Sequence, residues 1–224
     1  MKKGGIRLPL PHQPYSQKEH WNAFWRMFYR IKRAGKLIEI PITEDMLAEA
    51  KAFTEKVILE KQKEEVHQRD GRQEKKRWMT GTLGELALER FLGVRFRDPT
   101  VGDSIRYAVP DLSTIGLPVG VKSFRAGNFP LVNRLLSRNP RKPLTEAEIF
   151  IAVEPTRMKA YLFGLAFQED LIRNEQNPEN DRYVKDGNAL DRKTAFTSFD
   201  TLHSFHCLEE LESLIFRHSK ELAG

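Results

Sequence analysis

The chain of 224 residues contains a single cysteine, Cys207. An intrachain disulfide framework is therefore excluded, and a reducing, cytoplasmic compartment is the expected setting. No run of about 20 apolar residues occurs, which argues against a membrane-spanning helix. The basic start MKKGGIRLPLPH has only a short apolar stretch, broken by Pro9 and Pro11, and does not read as a signal peptide. Glycine fingerprints for dinucleotides are missing, and Gly102-Asp103-Ser104 lacks the context of a phosphate-binding loop. Zinc sites usually take three or four protein ligands. His203-Ser204-Phe205-His206-Cys207 has no second cysteine to join it and reads as a surface or helix-start cluster. Negative charge is also the scarcer sign: 31 acidic residues face 37 basic ones, for a formal net charge of +6. That balance tilts towards a nucleic-acid partner without separating it from a solubilised surface.

Aromatic residues are plentiful, with 14 Phe, 5 Tyr and 3 Trp, and they exclude a wholly disordered chain. Ser16 and Gly35 bracket the first helix. Within it Trp21, Phe24, Trp25, Phe28 and Ile31 recur at steps of three and four. That stripe predicts core packing, with base stacking as the minor alternative. Lys18, Arg26, Arg30, Lys32 and Arg33 form its polar face. A short extended piece at Leu37–Pro41 precedes a helix capped by Thr43, whose apolar face fades after Leu59 into a solvated end. The basic stretch Arg69–Arg77, with a break at Gly71, reads as an exposed linker or a phosphate-contacting loop. A compact helix then spans Gly81–Gly93. Short β-like runs follow at 94–97, 105–109, 112–115, 118–123, 149–154 and 161–167. Residues 128–138 are ambiguous, 174–188 read as a surface loop, and 208–221 as a terminal helix. The expected fold is α/β or α+β, a mixed sheet flanked by helices. Residues 1–79 would be a helical extension packed on a core of residues 80–224 within one compact domain.

Three features in order carry chemistry: Glu85 on a helix, Pro110-Asp111 opening a short hairpin, and Gly120-Val121-Lys122 on the next strand. Gly120 and Lys122 lie two apart and so share one face of a strand. A hairpin folded near Gly116 would bring Asp111 beside Lys122, and the packed helix could present Glu85 or Glu89 to the same point. Carboxylate oxygens suit Mg²⁺, which also holds waters and a phosphate. A lysine beside them can stabilise developing negative charge or help deprotonate the water.

In these residues, Gly84-Glu85, Pro110-Asp111 and Val121-Lys122-Ser123, the chain resembles the PD-(D/E)XK nuclease superfamily over roughly residues 81–123. The runs at 149–153 and 161–164 resemble later core strands of phage and mobile-element members. The resemblance implies a restriction-endonuclease-like fold, and a Mg²⁺-dependent or Mn²⁺-dependent deoxyribonuclease, more an endonuclease than an exonuclease. It also implies a homodimer, and a bacterial or phage-infected cell as the setting. Asp111 and Glu85 would bind the metal, and Lys122 would orient or activate water. Arg69, Arg72, Lys75, Lys76, Arg77, Ser123, Arg125 and Arg134 would contact DNA on either side. One departure stands out: Gly120 occupies the acidic position of the triplet. The migrated acid is expected at Glu85 first, then Glu89, then Glu148 or Glu154. Gly120 also motivates a rival reading, an inactive nucleic-acid-binding protein on the same fold. A third is an interaction scaffold using the aromatic first helix.

Overall fold

The computed structural model describes residues 17–61, 72–101, 109–128, 132–133, 147–167, 170, 194–195 and 199–223. Helix α1 (Gln17–Arg33) leads through Gly35, in the left-handed conformation at φ 70°, to strand β1 (Ile38–Pro41). The Thr43 hydroxyl then accepts a 3.3 Å bond from the Met46 amide and caps α2 (Glu44–Lys61). Helix α3 (Arg72–Leu92) ends where Gly93 adopts φ 70° and donates its amide to the Glu89 carbonyl. A 3-10 turn (Asp111–Ile115) follows, then β2 (Val119–Arg125), the two-residue β3 (Val132–Asn133), and the long hairpin of β4 (Ala147–Glu154) and β5 (Lys159–Phe167). The short β6 (Thr194–Ala195) pairs with β3, and α4 (Leu208–Ala223) closes the described chain.

Four strands form the main sheet in the order β1-β5-β4-β2. The β1–β5 and β5–β4 pairs are antiparallel, and β4–β2 is parallel. The sheet is thus mixed and flanked by helices, as the alternation of segments predicts. Because side chains alternate along strands, two cores form, one on each face. Val119, Ile149, Ile151, Val153, Leu162 and Leu165 pack with Leu83, Leu86, Ala87 and Leu88 of α3 on one face. Phe124, Phe150, Ala152, Tyr161 and Phe163 pack with Phe24, Met27, Phe28 and Ile31 of α1 on the other. A register shift beside Phe150 and Ile151, opposite Gly164 at φ 128°, inserts one residue into β5. That extra residue keeps Leu162 and Leu165 on the same face despite their odd spacing.

Several local expectations are corrected. Residues 94–97 form no strand, and 112–115 are a 3-10 turn, so Pro110-Asp111 opens a helical turn and not a hairpin. Pro110 fixes φ at −55° and starts that turn, and Gly116 ends it at φ 82°. Helix α3 begins at Arg72, nine residues before Gly81, so Gln73 to Arg77 belong to its first turns and not to a loop. Lys61, expected in a solvated end, is 1% exposed. Residue 79 lies inside α3, and β1 from the N-terminal segment is hydrogen-bonded into the main sheet. Arg69, Arg134, Arg138, Arg141, Lys142, Gly102-Asp103-Ser104, the run 105–108 and the loop 174–188 lie outside the described residues.

Candidate active site at the outer edge of the sheet

Among the described residues β2 is the outermost strand beyond β4, and the candidate site is built around its edge. The 3-10 turn lays Asp111 against that edge, where its Oδ2 accepts a 2.6 Å hydrogen bond from the Val121 amide. This bond replaces the ladder partner that an edge strand lacks. Asp111 and Lys122 are thereby brought together, as expected, but by a turn docking on a strand edge. Asp111 remains open to solvent over part of its surface. Its carboxyl is nonetheless pushed above the usual range by the surrounding protein, which outweighs the Val121 N–H and the Lys122 charge.

Gly120 and Lys122 point to the α1 side of the sheet, in phase with Phe124. The parallel register sets Gly120 beside Glu148 of β4. A Cβ added at Gly120 would run into the Glu148 carboxylate, lying 2.9 Å from its Cδ. The place left empty by the missing acidic side chain is therefore filled by a carboxylate from the next strand. Burial pushes the Glu148 carboxyl up to about 7; Lys122 pulls it down and Asp111 pushes it further up.

Glu85 approaches from the other face of the sheet. Its helix lies close because Gly84 has no side chain: a Cβ there would lie 2.7 Å from the Cβ of Ser123 and run into its hydroxyl. Burial and the charge of Asp111 raise the Glu85 carboxyl to about 8, against a downward pull from Arg97. Asp111 is thus the common neighbour of Glu85 on one side and of Glu148 and Lys122 on the other.

The other acids expected as substitutes have structural duties. Glu89 accepts 2.8 Å bonds from the amides of Phe96 and Arg97, which ties the segment after α3 back to the helix. Glu154 accepts the Tyr161 hydroxyl at 2.9 Å and pairs with Arg157 at 3.4 Å, at the far end of β4. Ser123 turns away from the open face, its hydroxyl 3.4 Å from the Gly81 carbonyl it bonds, so its expected DNA contact is not supported by this placement. Arg125 is exposed where β2 ends. Gln73 to Arg77 lie roughly 12 to 18 Å along α3 from Glu85 at 1.5 Å per residue. Lys75 pairs there with Glu55 at 3.6 Å, and Lys76 and Arg77 are exposed. Arg72 begins the helix. The His203–Cys207 cluster splits as expected of a helix start: His206 pairs with Glu210 at 3.1 Å and His203 with Asp170 at 3.5 Å.

Arg97 is a residue that sequence reasoning missed. Its side chain is 6% exposed, pairs with Glu49, and lies over the Phe53 ring at 5.2 Å. Its Nε and Nη1 are buried without hydrogen-bond partners, and its charge acts on Glu85. No local motif marks it, because its partners come from α2 and α3. A cavity of about 480 Å³ beside it is lined by Leu86, Glu89, Arg90 and Arg97 among others, and holds none of Asp111, Lys122 or Glu148.

The donors at the β2 edge are hard carboxylate oxygens that burial makes reluctant to ionise, with one lysine among three acids. Among the described residues no group of three or more His, Cys, Asp or Glu side chains could hold a metal ion as a set. A zinc or calcium cage is not what this arrangement offers. One or two carboxylates with open positions for water and phosphate are what Mg²⁺ commonly takes, so Asp111 with Glu148, or with Glu85, fits that ion. Compared with protein-family models, with curated proteins and with solved structures, the chain matches none.

Proposed function

We propose that the protein is a Mg²⁺-dependent DNA nuclease whose site is the β2 edge. The observation that carries this reading is the Glu148 carboxylate lying over Gly120, beside Lys122 and Asp111. Asp111 and Glu148 would hold the metal, with Glu85 supporting Asp111 from the opposite face. When bound, Mg²⁺ would supply charge stabilisation at a phosphate and a more acidic water. The protein's own groups do the rest. Asp111, held by the Val121 amide, keeps a fixed orientation at the mouth of the site. Lys122 shares a strand face with the Gly120–Glu148 position, where its ammonium can hold the scissile phosphate or orient the attacking water. Burial raises the metal-free Glu148 carboxyl to about 7, so holding the metal there would require that proton to leave. Arg125 and the exposed Lys76 and Arg77 would contact the phosphate backbone.

The test is cleavage of plasmid and linear DNA with Mg²⁺ or Mn²⁺. Asp111→Asn should abolish it, and Lys122→Met should lower it about 10²–10³-fold. Cleavage unchanged by both substitutions would overturn the reading. Salt-sensitive DNA binding without cleavage in any divalent metal would instead support the inactive binder, which Gly120 in the acidic position of the triplet motivates.

A further inference from the structure

The aromatic stripe of α1 divides into two rows. Phe24, Phe28 and Ile31 are 0–3% exposed and form the second core. Trp21, Trp25 and Tyr29, spaced four apart, form a separate row on the shoulder of the helix. Trp21 is 52% exposed, Tyr29 53%, and Trp25 is partly buried between them. Their rings touch in sequence, with centroids 5.6 Å apart for Trp21–Trp25 and 6.0 Å for Trp25–Tyr29. At 3.6 residues per turn the three fall within an arc of about 80°. The exposed Lys18 lies within that arc, as does Lys32, which pairs with Glu39; the exposed Arg33 and Arg26 lie about 40° and 60° beyond it. Over its 17 residues α1 carries five basic side chains and one acidic one.

A packing role explains the inner row and the inner side of Trp25, which packs on Phe24 and Phe28, and leaves the exposed Trp21 and Tyr29 unexplained. Two large rings that keep half their surface in water contribute little to the core. Two open rings joined by a partly buried third, with cations on the same helix, match the chemistry of an unpaired nucleic-acid strand, whose bases stack on rings while its phosphates meet the cations. The position agrees with this. Trp21 lies against Gly127: a Cβ there would sit 2.7 Å from the indole Cδ1 and 2.8 Å from Nε1. Gly127 turns the chain just after β2, at φ 95°. The row therefore begins beside the end of the strand that carries Lys122, on the sheet face to which Lys122 points. At about 3.3 Å per strand residue the two are roughly 15 Å apart.

We infer that the Trp21–Trp25–Tyr29 row is a stacking platform for single-stranded DNA leading away from the β2 edge. The inference rests on the proposed engagement of DNA and names the strand form engaged. The test measures anisotropy of labelled dT20 and of a 20-base-pair duplex in EDTA, where no cleavage intervenes. Wild-type protein should bind dT20. The Trp21→Ala/Tyr29→Ala variant, shown folded by its circular dichroism and Tm, should bind it at least about tenfold more weakly. Trp21→Phe/Tyr29→Phe should retain most of the affinity, which a loss of folding or of α1 docking would not permit. Duplex affinity should change less than about threefold. Lys18→Ala/Arg26→Ala/Arg33→Ala should reduce the slope of log affinity against log salt by about 2. Unchanged dT20 binding in the double-alanine variant would overturn the inference. So would capture of anionic phosphatidylserine vesicles by α1 in place of dT20. Loss of dT20 binding in that variant, together with no metal-dependent cleavage by wild type, would leave the platform standing and remove the nuclease reading. Asp111-dependent cleavage with unaltered dT20 binding would do the reverse.

Discussion

Gly120 and Glu148 act as one unit, because the space refused to a side chain at one position is taken by the carboxylate of the other. If Glu148 stands in for an acid at 120, the function should be transferable. Glu148→Ala should lower cleavage by about 10²-fold or more, on the scale of losing one catalytic group. Adding Gly120→Asp to that variant should restore at least tenfold, since the new side chain enters the vacated space. A double variant no better than Glu148→Ala would refute the exchange. Protons give a second residue-level expectation. Glu148 and Glu85 hold their protons to about pH 7 and 8, whereas in an unfolded chain they lose them near the ordinary carboxyl value of 4.5. The folded state therefore binds more protons across that window, and stability falls as pH rises through it. Thermal scans of the metal-free protein in EDTA should show Tm dropping from pH 5 to pH 8. Glu85→Gln and Glu148→Gln should each flatten the drop. A Tm that rises over the interval would contradict the assignment. Asp111 and Lys122 were legible from their motif. The exchange with Glu148 was not, because it depends on a parallel register between strands 28 residues apart, which no local pattern encodes.

At the scale of elements, the contact of α3 with β2 decides where Glu85 stands. Gly84 permits it, with Ser123 occupying the room of the absent side chain and bonding to Gly81. Gly84→Ala should push the helix off the strand, cost about 1–3 kcal/mol by overpacking, and lower cleavage by misplacing Glu85. Ser123→Gly in the same molecule should recover part of the stability; thermal unfolding and a cleavage assay read both. No recovery would show that the close approach is not what the glycine serves. Helices with caps or strong periodicity, such as α1 and α2, were legible, and so were the β-branched and aromatic runs of β2, β4 and β5. The segments 94–97 and 112–115 were misread because short apolar runs carry no period of their own. The start of α3 was missed because its first turns are basic and Gly81 looks like an interruption. Tertiary contacts with α2 override that weak local preference, as in the Lys75–Glu55 pair.

At the scale of the molecule, the decisive property among the described residues is that the sheet has two covered faces and an edge at β2 that carries the candidate site. α3 seals one face and α1 the other, and the candidate chemistry occupies the rim between them. The mixed sheet could be anticipated from the order of apolar runs. That β1 closes its far side could not, because its ladder with β5 spans 120 residues, as in the Glu39–Lys159 pair. The net charge of +6 is unevenly placed: α1 and the first turns of α3 carry much of it. The Asp111–Val121 bond has a further consequence, for self-association. By occupying an outward amide of β2, the aspartate blunts a strand border on which another chain could otherwise be templated. Asp111→Asn keeps an oxygen acceptor for that amide and should remain as dispersed as wild type in sedimentation. Asp111→Ala exposes it and should form larger species with concentration. Identical sedimentation of the two variants would mean that the carboxylate does not guard the border.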